Sequence, residues 1–217
     1  MVTTYTENMD WQLDAAEARV LGALMEKEIA TPEYYPLSLN ALVNACNQKS
    51  NREPVVSYDE SIVETALEDL RSKGLATRIT GKDVRVAKHG QRFTEKFNLG
   101  RREDALICLL LLRGPQTIGE LRGRSERLYA FDDLEAVEST LNRLMEMGFA
   151  TRLARLPGSR EARYMHLLCG EPTAAMEAAE PSAAAVHTSS DRDRIATLEH
   201  EVAELKAAFE EFRRKFE

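Results

Sequence analysis

The stretch VETALEDLRSKGLATRI, residues 63–79, recurs as VESTLNRLMEMGFATRL at residues 137–153. The offset between the two copies is a constant 74 residues, and eight of the seventeen aligned positions are identical. Self-similarity at a fixed offset indicates two copies of one supersecondary unit. The sequence therefore predicts a tandem repeat, and this repeat decides the architecture.

Each copy is predicted to contain three helices. In the first copy, capping residues predict helix starts at Asp14, Ser38 and Ser57. The buried stripe of the third helix is expected to include Ile62, and Gly74 supplies a left-handed residue where that helix ends.

Short β-branched runs follow the third helix of each copy and predict a hairpin there. The first pairs residues 76–80 with 83–87, and the second pairs 150–156 with 162–168. Three helices followed by a two-stranded hairpin are the winged-helix plan.

The predicted fold class is α+β and mainly helical, with two tandem winged-helix domains and a C-terminal coiled-coil-like helix. The domains are expected at residues 1–92 and 93–170. Residues 171–190, rich in alanine and without apolar periodicity, are predicted to be a flexible linker. Residues 191–217 carry an unbroken heptad stripe and are predicted to form an amphipathic helix.

The heptad stripe favours self-association as a parallel homodimer, because Ile and Val fall at a positions and Leu at d positions in its first two heptads. The alternative is a helix that folds back on its own domains. The predicted dimerisation residues are Ile195, Leu198, Val202, Leu205, Phe209, Phe212 and Phe216.

Composition is that of an ordinary soluble protein, with 43% hydrophobic and 30% charged residues. The first 17 residues show neither the basic n-region nor the apolar h-region of a signal peptide, and the longest apolar run, residues 105–112, is far shorter than the roughly 18 residues of a membrane span. A cytoplasmic location is expected.

Cys46, Cys108 and Cys169 are too widely spaced for a zinc site or disulfide framework, and each is expected to be a small buried hydrophobe.

Catalysis finds no support in the sequence. The four histidines are scattered, and the chain carries no glycine-rich phosphate loop, G-x-S-x-G or H-E-x-x-H motif. We expect no enzyme activity, no catalytic residues, no cofactor and no metal.

The net charge of −7 is unevenly distributed. Residues from 171 onward hold 6 basic and 11 acidic residues, which leaves 23 basic and 25 acidic residues in the first 170. Residues 71–102 hold ten basic residues and only two acidic ones. Such local basicity is typical of an electrostatic contact surface.

The predicted third helices have acidic exposed faces, which disfavour their insertion into DNA. The hairpins are basic and suit phosphate contacts without sequence readout. Equally, these basic side chains could form a solvated face that pairs with the neighbouring acidic helix. The candidate nucleic-acid-binding residues are Arg78, Lys82, Arg85, Lys88, Arg152, Arg155, Arg160 and Arg163.

The polar turn at residues 47–52 is open to two interpretations. Its Asn, Gln and Arg side chains are of the types that read base edges, but such residues commonly satisfy the backbone of a long loop. The loop interpretation is slightly favoured.

Residues 13–55 and the stretch TIGELRGRSERLYAF at 117–131 resemble the bacterial YceH family of uncharacterised proteins. The resemblance spans about residues 13–168 and implies tandem winged-helix domains in a bacterial cytosolic protein. It implies no catalytic or binding residues.

Two functions follow as hypotheses. The first is a regulator-like protein that binds double-stranded DNA through its basic wings and the 92–102 connector. The second is a protein-interaction module whose acidic third helices bind a basic partner, similar in kind to the tandem winged-helix subunits of chromosome-condensing complexes. Nothing in the sequence names a target sequence, a partner, an effector or a regulated process.

Removing residues 191–217 is expected to halve the solution mass measured by light scattering, because the heptad stripe would hold two chains together. An unchanged mass would refute the coiled-coil assignment.

Overall fold

The structure is a computed structural model that describes residues 12–81, 84–155 and 161–172, with side chains from 81 to 85 left out. All described residues belong to one compact unit of mixed α+β structure. Its elements are α1 (Ala15–Ala30), a 3-10 turn (Pro32–Tyr34), β1 (Leu37–Ser38), α2 (Leu39–Cys46), α3 (Glu60–Ser72), β2 (Ala76–Gly81), β3 (Val84–Gln91), α4 (Phe93–Phe97), α5 (Arg101–Arg113), α6 (Ile118–Ser125), α7 (Leu134–Glu146), β4 (Ala150–Arg152) and β5 (Tyr164–His166).

The repeat appears in the order of elements. Helices α1, α2 and α3 precede the hairpin β2–β3, and helices α5, α6 and α7 precede the hairpin β4–β5. The third helix of each copy ends before a glycine with positive φ, 69° at Gly74 and 77° at Gly148. A left-handed residue there costs glycine little and lets the chain turn into the hairpin.

Side-chain caps begin the helices largely as the sequence predicts. Asp14 and Glu17 form a capping box at α1, and the Glu17 backbone N–H donates to Asp14 Oδ1 at 2.7 Å. Ser38 caps α2. Thr117 and Glu120 form a second capping box at α6.

The predicted start of α3 is wrong. Its N-cap is Asp59, whose Oδ1 accepts from the Ile62 backbone N–H at 2.9 Å, so Ser57 lies outside the helix. Ile62 is 40% exposed and does not join the buried stripe, which begins at Val63. Ile62 lies one residue before that i, i+3, i+4, i+7 face, at its edge in the first turn.

Both sheets are antiparallel and small. β1 pairs with β3, which also pairs with β2, and the register places Arg78 opposite His89. β4 and β5 form the second sheet, with Arg152 opposite Tyr164. Gln116 forms a bridge to Tyr164, in the place that β1 occupies in the first copy. The sequence predicted neither β1 nor this bridge.

One hydrophobic core runs through both copies. Its centre is the packing of α1 on α5, two helices with unbroken buried stretches at residues 17–25 and 103–112. Gly22 allows the close approach: a β-carbon there would lie 3.0 Å from Leu111 Cβ and from two atoms of Leu112.

A cluster of three phenylalanines extends this core from the connector into the second copy. The ring centroids of Phe93, Phe97 and Phe149 lie 4.9 to 5.3 Å apart in tilted and edge-on arrangements. The boundary predicted at residue 92 stays a prediction, as do the domain ranges 1–92 and 93–170. The linker from residue 173 and the heptad helix, including all seven dimerisation residues, lie outside the described residues.

Cys46 and Cys108 are buried and Cys169 is half-buried, all with free thiols. Burial raises the pKa of the Cys46 thiol to about 12. Among the helices that the structure describes, none has the length and apolarity needed to cross a membrane.

Substituting Gly22→Leu is expected to lower the free energy of unfolding by about 3 kcal/mol, because the new side chain must push α1 away from α5. The matched control is Gly123→Leu in α6, where a β-carbon meets nothing within 4 Å. That variant should be more stable than the original chain by about 0.5 to 1 kcal/mol, because leucine favours a helix over glycine. Urea unfolding at constant pH measures both, and equal stability of the two variants would contradict the packing role of Gly22.

Candidate nucleic-acid interface

Arg78 and Arg152 occupy the same place in the two hairpins. Each is the third residue of an Ala-Thr-Arg run that begins a strand, β2 or β4, and each is exposed. Neither guanidinium forms a hydrogen bond or ion pair within the described residues. Arg155, just beyond β4, is likewise exposed and unpaired there. These three side chains remain available for an anion in solution.

Two further candidates are less accessible. Lys88 is half-buried and lies opposite Ile79 in the hairpin register. Arg163 is only 7% exposed, and its backbone oxygen accepts from the N–H of Leu153, which is itself 3% exposed. Because opposite residues of an antiparallel pair point to the same side, Arg163 shares the covered side of Leu153. We therefore leave Arg163 out of the proposed interface.

The remaining candidates cannot be placed. The side chains of Lys82, Arg85 and Arg160 lie outside the described part of the chain.

The acidic face of α3 is exposed as predicted. Glu60, Glu64, Glu68 and Asp69 all point to solvent, and Arg71 pairs with Glu68 at 2.7 Å. Lys73, just beyond the end of α3, forms an ion pair with Glu17 at the start of α1, so its charge is used there and not on this face.

The equivalent helix of the second copy has the same character. Glu135, Glu138 and Glu146 are exposed on α7. Arg143 is directed to Glu103 of α5, with Nε 3.2 Å from the carboxylate. Both third helices therefore present negative charge, while the adjacent hairpins present positive charge.

Two buried histidines, one in each hairpin, do not add to that positive charge. His89 and His166 are each 8% exposed, and within the described residues the Nδ1 atom of each has no hydrogen-bond partner. Burial lowers the pKa of His166 to about 4, and burial together with the nearby Arg78 lowers the pKa of His89. Both imidazoles are therefore neutral near pH 7.

Polar side chains of the turn at residues 47–52 bond to the backbone of their own loop and to α1. Arg52 is 4% exposed and forms an ion pair with Glu26 of α1 at 2.7 Å. It also donates to the Ala45 carbonyl oxygen at 2.8 Å. Asn47 exchanges two hydrogen bonds with the backbone of Tyr58, at 2.7 and 2.8 Å. The structure supports the loop interpretation, since these donors and acceptors are already used.

A second buried arginine, which sequence reasoning missed, completes this anchor. Arg19 is 4% exposed and donates to the carbonyl oxygens of Cys46 at 3.1 Å and Pro54 at 2.6 Å. The sequence does hold a signal, because Arg19 interrupts a run of residues in α1 that are otherwise small or apolar from Ala18 to Met25. A charge at such a position needs partners inside the fold.

Metal chemistry has no candidate centre in the part of the chain that the structure describes. No group of three or more His, Cys, Asp or Glu side chains is arranged there to hold an ion.

Comparison with known proteins identifies the family. The sequence profile described as "Protein of unknown function, DUF480" matches residues 13–159. The chain belongs to this family. A UPF0502 protein of Solibacter usitatus is 68% identical over 211 residues, which cover 96% of this chain and all of the relative.

More distant relatives match over nearly the same length. The UPF0502 protein of Pelobacter propionicus is 49% identical over 220 residues, covering 96% of this chain and all of the relative. That of Koribacter versatilis is 53% identical over 195 residues, covering 89% and 90% of the two chains. The family is therefore one of uncharacterised bacterial proteins.

Proposed function

We propose that this protein is a tandem winged-helix, regulator-like protein that binds double-stranded DNA through the basic residues of its two hairpins. The observation that supports it is a pair of equivalent, exposed arginines, Arg78 and Arg152, with Arg155 beside the second, none of which forms an ion pair within the described residues. The order of three helices and a hairpin in each copy agrees with the winged-helix plan that the YceH resemblance implies.

Contact through the hairpins follows from the charges. Duplex DNA carries one phosphate charge per roughly 1.7 Å. Two like charges 4 Å apart cost about 1 kcal/mol even in bulk water, so several carboxylates on α3 or α7 would oppose insertion into a groove. The exposed arginines of the hairpins can meet phosphates directly, because none of the three is paired with these carboxylates within the described residues. Such contacts give affinity with little sequence specificity.

The homodimer expected from residues 191–217 is part of the proposal. Two chains would present four hairpins, and linked weak contacts give an avidity greater than that of one. We propose no enzymatic role, and no cofactor enters the binding.

A second candidate is a protein-interaction module that binds a basic partner through α3 and α7. Its supporting observation is apolar exposure beside the acidic faces, 40% at Ile62 and 50% at Leu134, each in the first turn of its helix. Apolar side chains among carboxylates suit a protein partner better than a phosphate backbone.

Binding of the full chain to a random duplex of about 30 base pairs tests the DNA proposal, with fluorescence anisotropy from about 50 to 200 mM salt. Affinity should fall steeply with salt. The double variant Arg78→Glu, Arg152→Glu should bind roughly tenfold or more weakly. The slope of its log affinity against log salt concentration should become shallower by about two for each chain.

The matched control reverses two exposed charges away from the hairpins, Lys49→Glu and Arg127→Glu. It changes the net charge equally and should bind within about twofold of the original chain, because neither residue lies on the proposed contact surface. Equal loss in both double variants, or no binding at low salt, would contradict the proposal. The protein-partner alternative would then be favoured if the chain bound a polylysine peptide and the substitutions Glu64→Arg and Glu138→Arg abolished that binding.

A further inference from the structure

A cleft of about 590 Å³ lies where the first copy, the connector helix and the second copy meet. Its volume is in the range of pockets that bind small organic molecules, about 300 to 1,000 Å³. Its lining residues come from the end of α1, the end of β3, α4, the start of α5 and the segment after α6. They include Glu28, Ile29, Gln91, Thr94, Arg101, Asp104, Arg127, Leu128 and Tyr129.

Two carboxylates in this cleft are connected by neutral side chains. The Gln91 side-chain amide donates to Glu28 and, at 2.9 Å, to Thr94 Oγ1. The Thr94 hydroxyl in turn donates to Asp104 Oδ1 at 2.8 Å. Within the described residues, neither Glu28 nor Asp104 forms an ion pair. Both therefore accept only from uncharged donors.

The environment of Asp104 disfavours the ionised form of its carboxyl. The residue is only 9% exposed. Burial raises the pKa of its carboxyl to about 7, against the hydrogen bond from Thr94, and the nearby Glu28 and Glu103 raise it further. A cation bound beside this carboxyl would favour its ionised form.

Two arginines line the same cleft as these two carboxylates. Arg101 and Arg127 are exposed, and neither is paired with an acidic group in the described part of the chain. The other charged residues nearby are already engaged. Arg92 pairs with Glu95 at 3.3 Å, and Arg102 donates to the Tyr129 hydroxyl at 3.0 Å. The cleft thus holds two acidic and two basic residues that form no ion pair within the described ranges, with Ile29 and Leu128 as apolar lining.

We propose that this cleft binds a small zwitterion with an apolar side chain, of the size of an amino acid or dipeptide. Its ammonium group meets Glu28 and Asp104, its carboxylate meets Arg101 and Arg127, and its side chain contacts Ile29 and Leu128. Charge-assisted hydrogen bonds at both ends give orientation as well as affinity. This site is additional to the proposed DNA contact and uses no hairpin residue.

Isothermal titration calorimetry of the full chain with the dipeptide Leu-Leu tests the proposal. Two capped analogues are matched controls: N-acetyl-Leu-Leu lacks the ammonium group, and Leu-Leu amide lacks the carboxylate. Leu-Leu should bind, and each analogue should bind roughly tenfold or more weakly, because one end of the cleft is left without its partner. No heat from Leu-Leu or from leucine, or equal affinity for all three peptides, would overturn the proposal.

Variants locate the site. Arg127→Ala, on the surface, should weaken Leu-Leu binding roughly tenfold while leaving the fold intact, whereas Lys49→Ala, outside the cleft and the proposed DNA contact, should leave binding unchanged. Asp104→Asn should weaken it comparably, with circular dichroism confirming that the variant is folded. Binding that survives both cleft substitutions unchanged would place the peptide elsewhere and contradict the assignment.

Discussion

Close packing of α1 against α5 is the constraint on which the other elements depend. Gly22 brings the two backbones together against Leu111 and Leu112, and the Cys108 thiol lies 3.5 Å from the Gly22 carbonyl oxygen. Each helix is buried over nine or more consecutive residues, so neither could bury its apolar side chains without the other. The remaining helices cover the outer faces of this pair, and the hairpins contact it through β3 on α1 and β5 on α5.

The first copy's long loop is secured to this same centre. Buried Arg19 and Arg52 hold the loop backbone, and the Glu53 N–H donates to the Leu112 carbonyl oxygen of α5 at 2.9 Å. Arg113 at the end of α5 donates to the Asn51 side chain at 3.0 Å. Asn51, one of the turn residues that resembled base readers in the sequence, therefore connects the two copies. Removing Glu26, the ion-pair partner of Arg52, would leave the Arg52 charge buried and uncompensated.

Local chemistry made much of this fold predictable. Caps at Asp14 and Ser38 were correct because each depends only on residues three positions apart. Strand β1 was missed because a two-residue strand is defined by its distant partner β3 and carries no periodicity of its own. The start of α3 was misplaced because Ser57, with Glu60 three residues later, matches the capping-box pattern, whereas the side chain that caps the helix is that of Asp59.

Candidate sites were predictable to a different degree. Exposure of Arg78, Arg152 and Arg155 followed from strand position and charge, whereas the covered position of Arg163 depends on the pairing register. The zwitterion cleft had no sequence signal at all. Glu28 and Asp104, its two carboxylates, lie 76 residues apart and are brought together only by the packing of α1 on α5.

Native-state hydrogen exchange of the full chain tests most directly whether α1 and α5 form one cooperative centre. The slowest amides of both helices, such as those of Leu24 and Leu110, should open with the same free energy, equal to that of global unfolding. If one helix opened more easily than the other by more than about 2 kcal/mol, the two copies would be separate folding units and the account of a shared core would be wrong.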